Sequence, residues 1–194
     1  MRYSMLLAVV MLLGCAETNQ TPPPKKTSAS QPAPVMTESS QPETRDALSK
    51  DDQVRLAVFL DLLETYGRPY EKKPDPSLLN AFYLAVGVGD PDIQDESSFQ
   101  WEDPCDAVLT AIGTRSIPIK KYSQCSAGGM QCSDRTTGEP GYLLRVGPLK
   151  WLDKDTATLE AGHYVHPRNA SGTRLKVQRK GDKWEITRTG GWVS

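Results

Sequence analysis

The feature that most limits what this chain can fold into is a proline-rich segment without an aromatic residue, Ala16–Lys50. It is also rich in serine, threonine and glutamine, and its acidic and basic residues balance in number. Segments of this composition bury too little apolar surface to offset the entropy lost on ordering. We therefore predict a disordered linker here and a single folded domain over residues 51–194. The prolines of the linker are Pro22, Pro23, Pro24, Pro32, Pro34 and Pro42.

The residues before the linker have the pattern of an export signal. A positively charged start at Arg2 is followed by an apolar run, Met5–Leu13, which is too short to span a bilayer as a helix. Leu12-Leu13-Gly14-Cys15 resembles the lipobox of bacterial lipoproteins. The resemblance implies cleavage before Cys15, a diacylglyceryl thioether on its sulfur, and acylation of the new amine by a fatty acid such as palmitate. The alternative is an ordinary secretory signal with a chance cysteine.

This resemblance also implies a location. Two acyl chains already hold a protein stably on a membrane, so the lipid and not the fold makes the membrane contact. The residue after the cysteine is Ala16 and not aspartate, which by enterobacteria-like sorting implies the outer membrane. We therefore expect a lipid-anchored envelope protein on the periplasmic face of the outer membrane. Its predicted parts are the signal peptide 1–14, the lipidated linker 15–50 and one domain, 51–194.

The first part of the domain has helical signals. Ser49 with Asp51 and Asp52 predicts a helix start, and Tyr66-Gly67 predicts its end. The run 78–88 is ambiguous between helix and strand, because periodicity does not arbitrate so short a segment. Residues 90–103 have the composition of an acidic loop. A short helix is predicted from Asp103-Pro104 to Ile112.

The second part of the domain has strand signals. The pattern predicts strands at Ile117–Ile119, Tyr142–Val146 and Thr156–Val165, and a hairpin that turns at Gly181-Asp182. The expected fold class is therefore α+β, with N-terminal helices packed on one face of an antiparallel C-terminal sheet. This order of elements is similar to NTF2-like or cystatin-like domains, a similarity that carries no function.

Four short segments resemble a family of uncharacterised secreted bacterial proteins. That family ends in a similar Gly-x-x-Trp strand and an aromatic-aliphatic-serine terminus, and it offers no function to transfer. The resemblance covers about the last 115 residues. The segments that carry it are 134–141, 145–151 and 181–186, together with the terminal Trp192-Val193-Ser194.

The cysteines favour one disulfide. With Cys15 lipidated, Cys105, Cys125 and Cys132 remain, and an envelope location permits disulfides. Cys125 and Cys132 flank a glycine-containing loop and are the favoured pair, with Cys105–Cys125 as the alternative. Cys105 is expected one residue inside a helix N-terminus, where a thiolate is stabilised; a small buried apolar role is the simpler alternative.

No motif of a known catalytic or cofactor site occurs, and we expect no cofactor and no metal. His163 and His166 form His-x-x-His, but residues three apart on a strand point to opposite faces. The acidic loop lacks the alternating ligand pattern of a calcium loop, so a solvated loop is the simpler interpretation. Its acidic residues are Asp90, Asp92, Asp95, Glu96, Glu102 and Asp103.

Charge is distributed unevenly along the domain. Residues 51–110 hold 13 acids and 4 bases, whereas residues 111–194 hold 7 acids and 14 bases. The simpler interpretation is that the two halves neutralise each other when packed. The functional interpretation is a basic sheet face that meets an anionic envelope partner, such as a lipid headgroup, a wall polymer or an acidic protein. The residues expected on that face are Arg174, Lys176, Lys180 and Lys183.

Two functions are consistent with these patterns. The first is a non-enzymatic, membrane-tethered module that binds an envelope partner or serves assembly. The second is an envelope hydrolase that uses acidic-loop carboxylates or Cys105. A nucleic-acid binder is excluded, because the formal net charge of the chain is only −1 and phosphate binding needs a basic surface.

Overall fold

A computed structural model describes residues 48–72, 79–92, 99–127 and 131–194. These residues all belong to one compact unit, Thr44–Ser194. The predicted signal peptide, Cys15 and the linker up to residue 47 lie outside the described residues. Among the helices of the described part, none is both long and apolar enough to cross a bilayer.

The described elements form a mixed α+β domain, which confirms the predicted fold class. The helices are α1 (Lys50–Leu62), α2 (Arg68–Lys72) and α3 (Asp106–Ile112), and a π-helical turn, Leu63–Gly67, joins α1 to α2. The strands are β1 (Ala81–Val88), β2 (Gln100–Glu102), β3 (Ile119–Lys121), β4 (Cys125–Ser126), β5 (Ser133–Asp134), β6 (Gly141–Val146), β7 (Lys150–Trp151), β8 (Thr156–His166), β9 (Asn169–Lys180) and β10 (Lys183–Val193).

Most strands join one large sheet in the order β10-β9-β8-β6-β1-β2, with β3 also on β1 and β7 on β8. The pairs β8–β9 and β9–β10 are long and antiparallel, as the alternating pattern and the Gly181-Asp182 turn predicted. The order of elements was predicted wrongly, because β1 precedes α3 and pairs parallel with both β6 and β3. Parallel strands are joined by long connections, so the sequence has no local turn signal that would predict their pairing.

Helix α1 begins where its capping residue predicts. The Ser49 side chain accepts a hydrogen bond from the Asp52 amide at 3.1 Å, which satisfies one of the free donors of the first turn. Val54, Val58 and Phe59 bury one face of the helix against the sheet. At the other end, Arg188 of β10 donates to Asp61 at 2.5 Å and fixes the helix across the last strand.

The predicted helix end at Tyr66-Gly67 is wrong, since helical backbone continues through α2. Gly67 is buried, and a Cβ there would lie 3.2 Å from Cζ of Phe82. Glycine at this position therefore allows a close approach to the core of β1 and does not terminate the helix. The ambiguous run before residue 88 is resolved as strand β1, which is buried along seven of its eight residues.

The two faces of the sheet have different covers. One face packs against α1 and α3 and holds the main core, which includes Phe82, Leu144 and Leu175. Among the described residues, those that cover the opposite face lie around β1 and β6, where Tyr83 and Leu143 pack with Cys125 and Cys132. Over β9 and β10 the same opposite face is exposed to solvent. We call this exposed area the open face.

Candidate functional site

The four predicted basic residues lie together on the open face. Arg174, Lys176 and Lys180 alternate along β9 with the buried residues of that strand, so their side chains share one side of the sheet. Lys183 begins β10 directly opposite Lys180. The structure therefore brings all four to one surface, which the period-two pattern predicted.

Two carboxylates partly offset this charge. Arg174 donates to Glu160 of β8 at 3.3 Å, and Lys180 lies 2.6 Å from Glu185 of β10. Ion pairs this exposed contribute about 0–1 kcal/mol each to stability, so they do not fix the side chains strongly. Within the described residues Lys176 has no ion pair with a carboxylate. Its charge acts on Asp153: the Asp155 amide is the main group that lowers the pKa of this carboxyl, and Lys176 adds to the effect.

The indole ring of Trp192 lies beside the ion pair of Arg174 and Glu160. Trp192 of β10 pairs with Gly172 of β9, and its indole covers the glycine so closely that a Cβ there would overlap the ring. The tryptophan is still 44% exposed, so its outer surface faces solvent. An open cavity of about 180 Å³ is lined here by Trp192, Gly172, Gly190, Gly191, Glu160 and Arg174.

A second open cavity of about 170 Å³ shares Glu160 and Arg174 with the first. Phe99 and Pro148 supply its apolar wall, and an ion pair between Lys150 and Asp92 supplies its polar wall. The two cavities therefore meet at the Glu160–Arg174 pair. Asp92 is the member of the predicted acidic loop that this site includes.

The other acidic-loop residues do not gather there. Asp103 accepts hydrogen bonds from the amide and hydroxyl of Ser123, both at 2.7 Å, and so holds the loop before β4. Glu102 belongs to β2, so part of the predicted loop is a strand that extends the sheet. Asp95 and Glu96 lie outside the described residues.

The three remaining cysteines have different environments. Cys125 and Cys132 are both buried, and their sulfur atoms are 3.0 Å apart. The hydrogen bond to the Cys125 sulfur, followed by burial, raises the pKa of the Cys132 thiol far above its usual range, and the same hydrogen bond lowers the pKa of Cys125. The disulfide between them stays a prediction. The short separation of the two sulfur atoms is consistent with it.

Cys105 occupies the N-cap position of α3 and is exposed, so it is neither inside the first turn nor a buried apolar residue as predicted. The helix begins at Asp106, two residues later than the proline pattern indicated. The Cys105 side chain makes no capping hydrogen bond. A hydrolase that uses Cys105 would need a histidine base nearby. Among the described contacts neither His163 nor His166 approaches Cys105.

Next to the cysteine pair, Asp134 organises the covering loop. Its carboxylate accepts from Lys120 at 2.7 Å, from the Tyr83 hydroxyl at 2.8 Å and from two backbone amides, of Thr136 and Thr137. The Lys120 ammonium, followed by those amides, holds the pKa of Asp134 well below its usual range. Burial, together with the adjacent carboxylate, raises the pKa of Tyr83. This cluster fixes the loop that carries Cys132 to the centre of the sheet.

A buried polar network on the helix side was not predicted from the sequence. Asn169 Oδ1 only accepts, so it receives the Nε2 hydrogen of His163 at 3.0 Å, and Nδ1 then accepts from Ser171 Oγ at 2.9 Å. Ser171 in turn accepts from the hydroxyl of Tyr66 at 3.1 Å. The β8–β9 register places His163 opposite Ser171, and only that register could have revealed the pair.

This network has the bonding order of a nucleophile, a base and an orienting group. However, Ser171 is 5% exposed and His163 is 7% exposed, and the rings of Tyr66 and Tyr142 pack on the imidazole. Both cavities described above lie on the open face, on the other side of the sheet. The network therefore joins the π-helical turn to the β8–β9 hairpin, and its serine and histidine are buried away from both cavities.

His163 makes stability depend on pH. Burial lowers its pKa below the ordinary value, and the charge of Arg145 acts in the same direction. The unfolded chain therefore binds a proton below about pH 6.5 that the folded chain resists, so the free energy of unfolding falls as the pH drops below about 6.5. Urea unfolding between about pH 5.5 and pH 8 measures this slope.

The control for this prediction is the other histidine. His163→Gln should flatten the slope, whereas the control His166→Gln leaves the buried network intact, because His166 lies at the strand end, where its Nδ1 accepts from the Arg168 amide. An unchanged slope in His163→Gln would show that other groups cause it.

Within the described residues, no group of three or more histidine, cysteine, aspartate or glutamate side chains is arranged to hold a metal ion. His163 and His166 face different environments, one inside the network and one at the hairpin turn. Comparisons of this chain with models of protein families, with curated proteins and with solved structures give no match.

Proposed function

We propose that this protein is a lipid-anchored, non-enzymatic module of the cell envelope that binds an anionic envelope polymer through its open face. The single observation that supports the binding is the side-by-side exposure of Arg174, Lys176, Lys180 and Lys183 on two adjacent strands. The lipobox at Leu12-Leu13-Gly14-Cys15 supports the anchor, and the proline-rich segment supports a long tether.

A rigid sheet suits such a role. Its backbone is fixed by the β8–β9 and β9–β10 ladders, so the basic side chains keep a regular spacing. Little backbone entropy is therefore lost when a ligand binds. An anionic polymer carries charges at regular intervals and matches this arrangement. The finer NTF2-like or cystatin-like assignment also stays a proposal, supported by α1 packed on one face of a large sheet.

The test is a charge reversal in intact cells. Arg174→Glu with Lys176→Glu should weaken crosslinking of the full-length protein to its envelope polymer by about tenfold, because attraction becomes repulsion at the centre of the open face. The crosslinked material is then identified chemically as polymer, lipid or protein.

The matched control applies the same charge change elsewhere. Arg68 lies in α2 and Lys154 in an exposed turn, so Arg68→Glu with Lys154→Glu should leave the crosslinks unchanged. Equal crosslinking by both double variants would refute the role of the open face, and a purely proteinaceous or lipid product would refute the polymer.

A further inference from the structure

The open face contains more than charge, and the arrangement of its groups narrows the ligand. Trp192 is held rigidly by Gly172 on one side and is exposed on the other, so it presents a fixed aromatic surface to solvent. Gly190 and Gly191 beside it have no side chains, and the cavity floor is therefore flat. A flat floor beside an exposed indole accepts a ring that has one apolar face.

The groups around this surface disfavour two other kinds of ring. Arg174 and Lys176 lie on the same face, so a cationic ligand that would stack on the indole is repelled. A nucleic-acid strand stacks its successive bases on several aromatic rings, whereas among the described residues Trp192 is the one large aromatic side chain that is exposed. A sugar ring remains, since its axial C–H bonds form an apolar face and its hydroxyl groups form a polar edge.

The centre of the site supplies the polar contacts that an acidic sugar needs. Arg174 offers a planar set of N–H donors that binds a carboxylate through two parallel hydrogen bonds. Its present partner Glu160 holds it at 3.3 Å, and the arginine side chain is still 52% exposed. An incoming carboxylate can share the guanidinium, while Glu160 accepts hydrogen bonds from sugar hydroxyls.

The two cavities suggest more than one sugar. They have volumes of about 180 and 170 Å³ and meet at Glu160 and Arg174. Each is smaller than the roughly 300–1,000 Å³ of a typical ligand pocket, whereas a chain of sugars could cross both. Phe99 and Pro148 give the second cavity an apolar wall, and Lys150 lies beside it as a second cation.

We propose that the open face binds an acidic polysaccharide, with one sugar ring stacked on Trp192 and a carboxylate held by Arg174. This inference rests on the proposed function and names the chemical class of its polymer. It assigns separate roles to the two residues, because the indole recognises the ring and the guanidinium recognises the charge. A ligand with only one of these features should therefore bind more weakly.

Calorimetric titration of the full-length protein in detergent tests this with three probes: a tetramer of galacturonic acid, its neutral methyl ester, and a short inorganic polyphosphate. The acidic tetramer should bind best. Trp192→Ala should weaken its binding about five- to tenfold, and Trp192→Phe should largely restore it. Arg174→Gln should weaken the acidic tetramer about tenfold and leave the ester almost unchanged.

Two variants control for general effects of truncation and charge loss. Leu152 is an exposed apolar residue in the turn after β7, and Lys154 is an exposed cation in the same turn. Leu152→Ala and Lys154→Gln should bind the acidic tetramer as the parent does. Unfolding curves confirm that the Trp192 variants remain folded.

The outcomes distinguish failure of the polysaccharide proposal from failure of the proposed binding of an anionic polymer. Two results would overturn the polysaccharide: the acidic tetramer fails to bind, or its affinity is unchanged by Trp192→Ala. If polyphosphate then binds in a way that depends on Arg174, the open face is a general anion-binding surface. Failure of all three probes overturns the polysaccharide too, and the crosslinking experiment then decides the function independently. Binding that requires both Trp192 and Arg174 establishes the proposed site.

Discussion

Replacing Cys15 with serine is expected to move nearly all of the protein from the membrane fraction to the soluble envelope fraction. A serine oxygen does not accept the diacylglyceryl group that the lipobox resemblance implies for the cysteine sulfur. Without acyl chains the anchor that we propose disappears, because two chains already supply stable membrane anchoring. Fractionation of cells, followed by immunodetection in each fraction, measures the change.

The control for the anchor is a second cysteine. Cys105 is exposed and far along the chain, so Cys105→Ser should leave the protein in the membrane fraction. Intact-mass measurement of the purified native protein should also show an acylated amino terminus at Cys15. An unacylated start, or a Cys15→Ser protein that stays with the membrane, would refute the lipoprotein hypothesis.

Reduction of the native protein is expected to lower its free energy of unfolding by about 2–3 kcal/mol through loss of a Cys125–Cys132 disulfide. The two residues are seven positions apart, so the bond closes a short loop, and both sulfurs are buried at 3.0 Å separation. Formation releases two protons and two electrons to an envelope oxidant by thiol–disulfide exchange. Peptide mapping without reductant identifies the bonded pair.

Single variants make this result specific. Cys125→Ser should reproduce the loss of stability and should no longer respond to reductant, whereas Cys105→Ser should behave as the parent does. A mapped bond between Cys105 and Cys125 would contradict the pairing. Equal stability of the oxidised and reduced proteins would contradict the contribution of the bond.

The long C-terminal strands were predictable because their signals are local. Alternation along β8 and β9 and the Gly181-Asp182 turn fix both the pairing and the exposed side of the hairpin. The same alternation is enough to predict that Arg174 and Lys176 share one face of the sheet. The cap at Ser49 was equally local, and it located the start of α1.

The remaining features depend on segments that are distant in sequence. The residues near Ala81 do not indicate that β1 pairs parallel with β6. This pairing depends on the packing of other segments on both faces of β1, which is buried along nearly its whole length. Gly67 was interpreted as a helix end because the sequence does not show its contact with the Phe82 ring, which lies in another element. Trp192 on Gly172 and His163 on Ser171 likewise become neighbours only when the register of β9 is known.

The parallel pairing of β1 with β6 has a consequence for how the chain folds. Residue Phe82 meets Tyr142 only after the whole intervening segment has been synthesised and its loop closed. Topologies dominated by such distant pairings fold slowly compared with helical bundles. The β1–β6 pairing should therefore close later than the β8–β9 and β9–β10 hairpins, whose strands are neighbours in the chain.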